Sequence, residues 1–126
     1  MADDAVTLSI PASTDRVRLA RVLAATLADE AGFDYDEVED VRIAVDELCF
    51  ALLEAAPTVG TLEITAERLP GELRIEGSCA FSSEPTPSAD EGNSELTAQI
   101  LSTVVDEYDV SFNGTTGRFR LRKSRS

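Results

Sequence analysis

"EDVRIAVDELCFALLEAA", residues 39–56, carries the periodicity that sets the architecture. With Val38 before it, Val41, Val45, Leu48 and Leu52 fall three or four residues apart, which puts them on one stripe of an α-helix. Just upstream, "DYDE" (Asp34 to Glu37) has the spacing of a capping box, and its acids suit a helix N-terminus. The helix is expected to run to about Ala56, with Pro57 past its end. Its apolar stripe needs a sheet or another helix to cover it.

The flanking sequence supplies both. "AVTLSI" alternates apolar and polar and reads as a strand stopped by Pro11. Ser13 is expected to cap a helix reaching about Ala31, with Val17, Ala20, Ala24, Leu27 and Ala31 as its inner stripe and Gly32 as its stop. Downstream, "TLEITAE" and "ELRIEGS" alternate on either side of the turn "PG" at 70–71, giving a hairpin. Residues 82–93, rich in proline and small polar side chains, read as a loop. "SELTAQILSTVV" follows as a helix, with Ser94 as its cap and Leu96, Ile100, Leu101 and Val104 turned inward. "YDVSF" and "GRFRLRK" flank "NGTT" as a second hairpin, and the tail 124–126 is expected to fray. The order is β-α-α-β-β-α-β-β in one domain, residues 1–123. It predicts an α+β two-layer sandwich, a mixed and mostly antiparallel sheet with helices on one face.

Composition narrows the chemistry. At 126 residues and 43% apolar, the chain can bury a real core. Histidine is absent, which removes the commonest general base and zinc ligand. Cys49 and Cys79 sit in apolar contexts without metal-ligand spacing and read as buried thiols in a reducing compartment. "MADDAV" has acids where a secretory signal needs positive charge, so a cytoplasmic location is expected. The net charge is −13, yet Arg16, Arg18 and Arg21 cluster early, and Arg118, Arg120, Arg122, Lys123 and Arg125 cluster late. Between these clusters, three arginines face 21 acids. Such a field repels nucleic acid and draws in basic protein surfaces, so direct DNA binding is not expected.

The element order, together with the 39–56 segment and "STVVDEYDVSF" before the last hairpin, resembles the GHKL ATPase superfamily. Within it the chain is similar to the small anti-sigma factor serine kinases, which hold a bacterial alternative sigma factor inactive. In that family a glutamate–asparagine pair four residues apart on the second helix serves catalysis and Mg²⁺. An aspartate followed by two glycines reads adenine after the third strand, and a glycine-rich lid opens the third helix around the phosphates. Here Glu47 matches the glutamate, but the asparagine position is Ala51, whose methyl group cannot ligate Mg²⁺. The aspartate falls at Cys79 and its glycines at Phe81 and Ser83; a shifted register would substitute Glu76, with Ser78 and Ala80 in place of glycine. The lid glycines fall at Glu95 and Thr97, and Glu95 sets a negative charge where phosphate should lie.

The resemblance therefore implies a degenerate nucleotide site with no cofactor and no metal, Glu47 being paired locally, for instance with Arg74 or a backbone N–H, and Asp46 solvated. It further implies binding by occlusion through the first helix, with Arg21 central and Arg18 and Arg16 secondary. The expected partners are an alternative sigma factor and an antagonist that displaces it in a stress-type partner switch, with a homodimer possible through the first strand. The enzyme alternative is an active protein-serine kinase using ATP and Mg²⁺ on the antagonist. A further alternative is an acidic adaptor of the same fold for another regulator.

Overall fold

The computed structural model describes residues 5–85 and 94–125. Strand β1 (Ala5–Pro11) leads through one 3-10 turn at Thr14–Arg16 into helix α1 (Val17–Glu30), and α2 (Tyr35–Leu53) follows. The hairpin β2 (Thr58–Leu69) and β3 (Glu72–Phe81) comes next. Then come α3 (Ser94–Val104) and the closing hairpin β4 (Glu107–Asn113) and β5 (Thr116–Ser124). The strands form one sheet in the order β1-β2-β3-β5-β4. Every neighbouring pair is antiparallel, so the expectation of a mixed sheet is corrected. The chain passes through α1 and α2 between β1 and β2 and returns running the opposite way, and the other neighbours lie within hairpins or across β3 and β5.

Local chemistry explains the helix ends. At α2 the capping box forms as expected: Asp34 Oδ1 accepts from the Glu37 N–H at 2.8 Å, and Glu37 Oε1 accepts from the Asp34 N–H at 2.9 Å. At the end of α1, Gly32 takes φ 88°. Its N–H reaches the Asp29 carbonyl and the Phe33 N–H reaches the Ala28 carbonyl, both at 3.1 Å, which is a Schellman stop. Ser13 does not cap α1. It precedes the 3-10 turn, and its hydroxyl bonds the Asp15 carboxylate instead of a backbone N–H. Helix α2 stops at Leu53, short of the expected Ala56, although Ala55 and Ala56 still pack partly against the core.

The core lies between the helices and the inner sheet face. Val41, Ala44, Val45, Leu48 and Leu52 of α2 are fully buried against Leu62, Ile64 and Ala66 of β2, Leu73 and Ile75 of β3, and Phe119 of β5. Gly77 lets the Phe119 ring cross β3, because a Cβ there would stand 2.3 Å from Phe119 Cε2. On α3, Leu101 and Val104 are buried, whereas Leu96 is 65% exposed and corrects the expected inward face. The Ser94 side chain and residues 86–93 of the expected loop lie outside the described residues.

Lys123 ties three elements together. Its Nζ donates to the Val104 carbonyl at the end of α3 at 2.8 Å and lies 3.5 Å from Asp40 of α2. The chain is held slightly past the expected boundary at 123. The Ser124 N–H bonds Asp106 Oδ2, and the Arg125 N–H bonds the Gly71 carbonyl at 2.8 Å. Residue 126 lies outside the described residues.

Candidate functional site

Helix α2 packs on β3 and β5 across the inner sheet face. Glu47 and Ala51 are half-buried. Cys79 is 5% exposed and Phe81 3%, so the positions aligned with the adenine-reading aspartate and its first glycine are part of the apolar core. The Phe81 ring lies against Phe112, with centroids 6.0 Å apart. It also closes on Gly117 and Leu52: a Cβ on Gly117 would stand 2.9 Å from Phe81 Cε2 and 3.0 Å from Leu52 Cδ2. A large aromatic thus occupies volume that a glycine would leave open. Ser83 is exposed beyond β3, and the shifted register fails on geometry, because Glu76 stands exposed on the outer sheet face, away from α2. Glu95 is exposed in the first turn of α3, and Thr97, two residues on, is half-buried.

Glu47 does not pair as expected. Arg74 lies on the outer face of β3 and holds Glu72 at 2.6 Å, while Glu47 has no bonded partner among the described residues. Its neighbour Asp46 is not simply solvated. Arg21 reaches across from α1 and sets its Nε 3.0 Å from Asp46 Oδ1. Both atoms are sealed from solvent, and the N–H is not aligned along the contact, so this is an ion pair without a formed hydrogen bond. Burial pushes the Asp46 carboxyl above its usual range, against the pull of Arg21 and then Arg42.

The outward faces of α1 and α2 are apolar as well as charged. Leu19 is 41% exposed and Val22 63%, one helical turn apart on α1 beside the exposed Arg18. Ile43 of α2, three residues before Asp46, is 41% exposed. Arg16 is exposed at the start of α1. The structure brings Arg21 to α2 but leaves Arg16 and Arg18 without ion pairs among the described residues. The sequence reading missed Leu19, Val22 and Ile43. The available signal was that all three fall off the inner stripes of their helices.

Cys49 and Cys79 are free thiols, both buried. Burial, reinforced by the Asp46 charge and by Cys79, raises Cys49 to about 12 from its ordinary 9.0, and burial also raises Cys79. In the unfolded chain the Cys49 thiol ionises near its ordinary value, while the folded chain keeps the proton. Its contribution to stability is therefore complete below pH 9 and is lost as pH rises towards 12. Denaturation between these limits should show that loss in the wild type, and Cys49→Ala should flatten it. An alkaline limb as steep in the variant would contradict the assignment. Among the described residues no cluster of three Cys, Asp or Glu side chains is placed to hold a metal ion. No described helix is long and apolar enough to cross a membrane.

The antiparallel sheet with the helices packed on one face defines a two-layer α+β sandwich. Over 95% of its length the chain superposes on a crystal structure of the RsbU and RsbW domains of the Mycobacterium tuberculosis protein Rv1364c, with a TM-score of 0.72. At 14% identity over 31% of that chain, this likeness establishes a shared fold. Similarity in sequence carries the relationship further. The chain is 33% identical over 76 residues to the anti-sigma-F factor RsbW of Mycobacterium tuberculosis, covering 60% of this chain and 45% of that protein. It is 35% identical over 60 residues to the serine-protein kinase RsbW of Bacillus cereus, covering 48% and 38%. It is 36% identical over 74 residues to the serine-protein kinase RsbW of Listeria monocytogenes, covering 58% and 47%. The matched stretch spans less than half of each of these three relatives. No protein-family model matches the chain. The resemblance drawn from the sequence is borne out: the chain has homologues named as anti-sigma factors and serine-protein kinases.

Proposed function

We propose that this chain is an anti-sigma factor that sequesters an alternative sigma subunit in the cytoplasm through the outward face of α1, without needing ATP, and releases it when an antagonist competes for the same face. The observation that carries this reading is the surface itself: Leu19 and Val22 exposed on the outward side of α1, Arg21 at its edge against Asp46 and Ile43 exposed on α2, on a chain whose relatives include an anti-sigma factor. Apolar anchors with arginines beside them are the composition of a binding hot spot. Occlusion needs such a surface and no catalytic centre. The acidic middle of the chain complements basic surfaces of the kind a sigma subunit presents to promoter DNA. The uncharged edge strand β1 offers a second copy a place to pair.

Affinity capture from the host, followed by mass spectrometry, tests the reading, and retention of an RNA polymerase sigma subunit is the expected result. That complex should weaken with salt, chiefly through slower association. Retention of other regulators without any sigma subunit would favour an acidic adaptor instead. One observation supports the enzyme alternative, a protein-serine kinase acting on the antagonist: Glu47 keeps its family position with no bonded partner among the described residues. That alternative requires ATP and Mg²⁺ to be held where Phe81 and Ala51 now stand.

A further inference from the structure

We propose that Asp46 is a positioning residue for Arg21, gripping the guanidinium by its Nε edge so that the two Nη groups are presented to a carboxylate of the captured sigma subunit. The inference rests on the α1 reading above and adds a residue of α2 to that surface. It begins from an asymmetry within the pair. Arg21 Nε and Asp46 Oδ1 are sealed from solvent, while the other guanidinium nitrogens and Asp46 Oδ2 are not. The side chains as wholes keep 33% and 29% exposure. The arrangement therefore has an inner contact and an outer, wet edge, and the outer edge of an arginine is the fork that takes a carboxylate in two parallel bonds.

Two effects of Asp46 oppose each other. Its charge weakens the pull of Arg21 on an incoming anion. Its grip removes rotamer freedom that a long side chain would otherwise lose on binding. The geometry favours the second effect. The gripping oxygen is turned inward, away from the approaching partner, and Arg42 of the same helix also acts on Asp46 and offsets its charge. Other charged groups on α2 that reach solvent are Asp36, Glu39, already held by Arg42 at 2.9 Å, Asp40, paired with Lys123 at 3.5 Å, and Glu47. The misaligned N–H leaves the pair short of a formed hydrogen bond, so a partner carboxylate that draws the guanidinium slightly outward breaks none.

Two measurements test this. In the free protein the contact keeps Nε sealed from water, so exchange of the Arg21 Nε–H, followed by nitrogen-resolved NMR, should be about tenfold slower in the wild type than in Asp46→Ala. Asp46→Asn keeps the side-chain volume and serves as the variant of record if Asp46→Ala melts early. With the purified sigma subunit that the wild-type chain captures, Arg21→Ala should weaken binding about tenfold or more and Asp46→Ala about fivefold. In the double variant the second substitution should add less than about twofold. If Arg21→Ala weakens binding but Asp46→Ala and Asp46→Asn bind as the wild type does, the positioning role is overturned and the α1 surface stands. Unchanged Nε–H exchange in both Asp46 variants also overturns it. If Arg21→Ala itself binds like the wild type, the α1 reading fails, and Asp46 loses its role with it.

Discussion

Leu48→Ala is expected to lower the free energy of unfolding by about 2–5 kcal/mol, seen as an early denaturation midpoint with an unchanged slope. Leu48 is fully buried at the middle of the α2 stripe, where the helix meets the sheet. Truncation there removes the transfer energy of the side chain and leaves a cavity that a close-packed core cannot collapse around. Against a typical total of about 5–15 kcal/mol, such a loss is a large share of the fold's stability. The matched control is Ile43→Ala on the same helix, at a side chain 41% exposed, where the cost should stay within about 1 kcal/mol. A wild-type midpoint for Leu48→Ala would mean that the inner face of α2 is misassigned.

Arg21→Glu is expected to abolish capture of the sigma subunit, a loss of about a hundredfold or more, because it replaces a cation by an anion facing the partner's acid. The structure adds a consequence that exposure alone would not suggest. The new carboxylate would stand next to Asp46, which Arg21 now contacts at 3.0 Å, so this variant should also melt earlier than the wild type. Arg21→Ala separates the two effects, since it removes the cation without adding a like charge. Binding assays on folded Arg21→Glu, checked by thermal melting against Arg21→Ala, give the result. A complex that survives the charge reversal would remove α1 from the interface.

How far the sequence could carry the account depended on the range of each interaction. The α2 start was legible because a capping box is written in four adjacent residues, and its core face because a helical stripe is a local period. Both hairpins were legible from their turn residues, and Gly71 and Gly114 adopt the positive φ those turns need. The sheet's wholly antiparallel pairing was not, because it depends on how two helices return the chain between β1 and β2. Leu96 was misplaced for a similar reason: α3 has more apolar residues than the core has room for, and only packing selects Leu101 and Val104.

The candidate site divides along the same line. The substitutions at Ala51, Cys79 and Phe81 are visible in sequence, but the packing of the Phe81 ring against Gly117, Leu52 and Phe112 joins three strands and a helix and appears only when they are assembled. The Arg21–Asp46 contact depends on the rotation of α1 about its axis beside α2, and no motif encodes that. Asp46 therefore read as a solvated acid until its neighbour was placed.

The central claim is that a pocket filled by Phe81 and lacking an oxygen ligand at Ala51 has surrendered the nucleotide, leaving the α1 surface to act. Calorimetric titration of the folded chain with Mg-ATP tests it most directly. The account predicts no saturable heat up to millimolar nucleotide. Saturable micromolar binding that disappears in Glu47→Ala would contradict it.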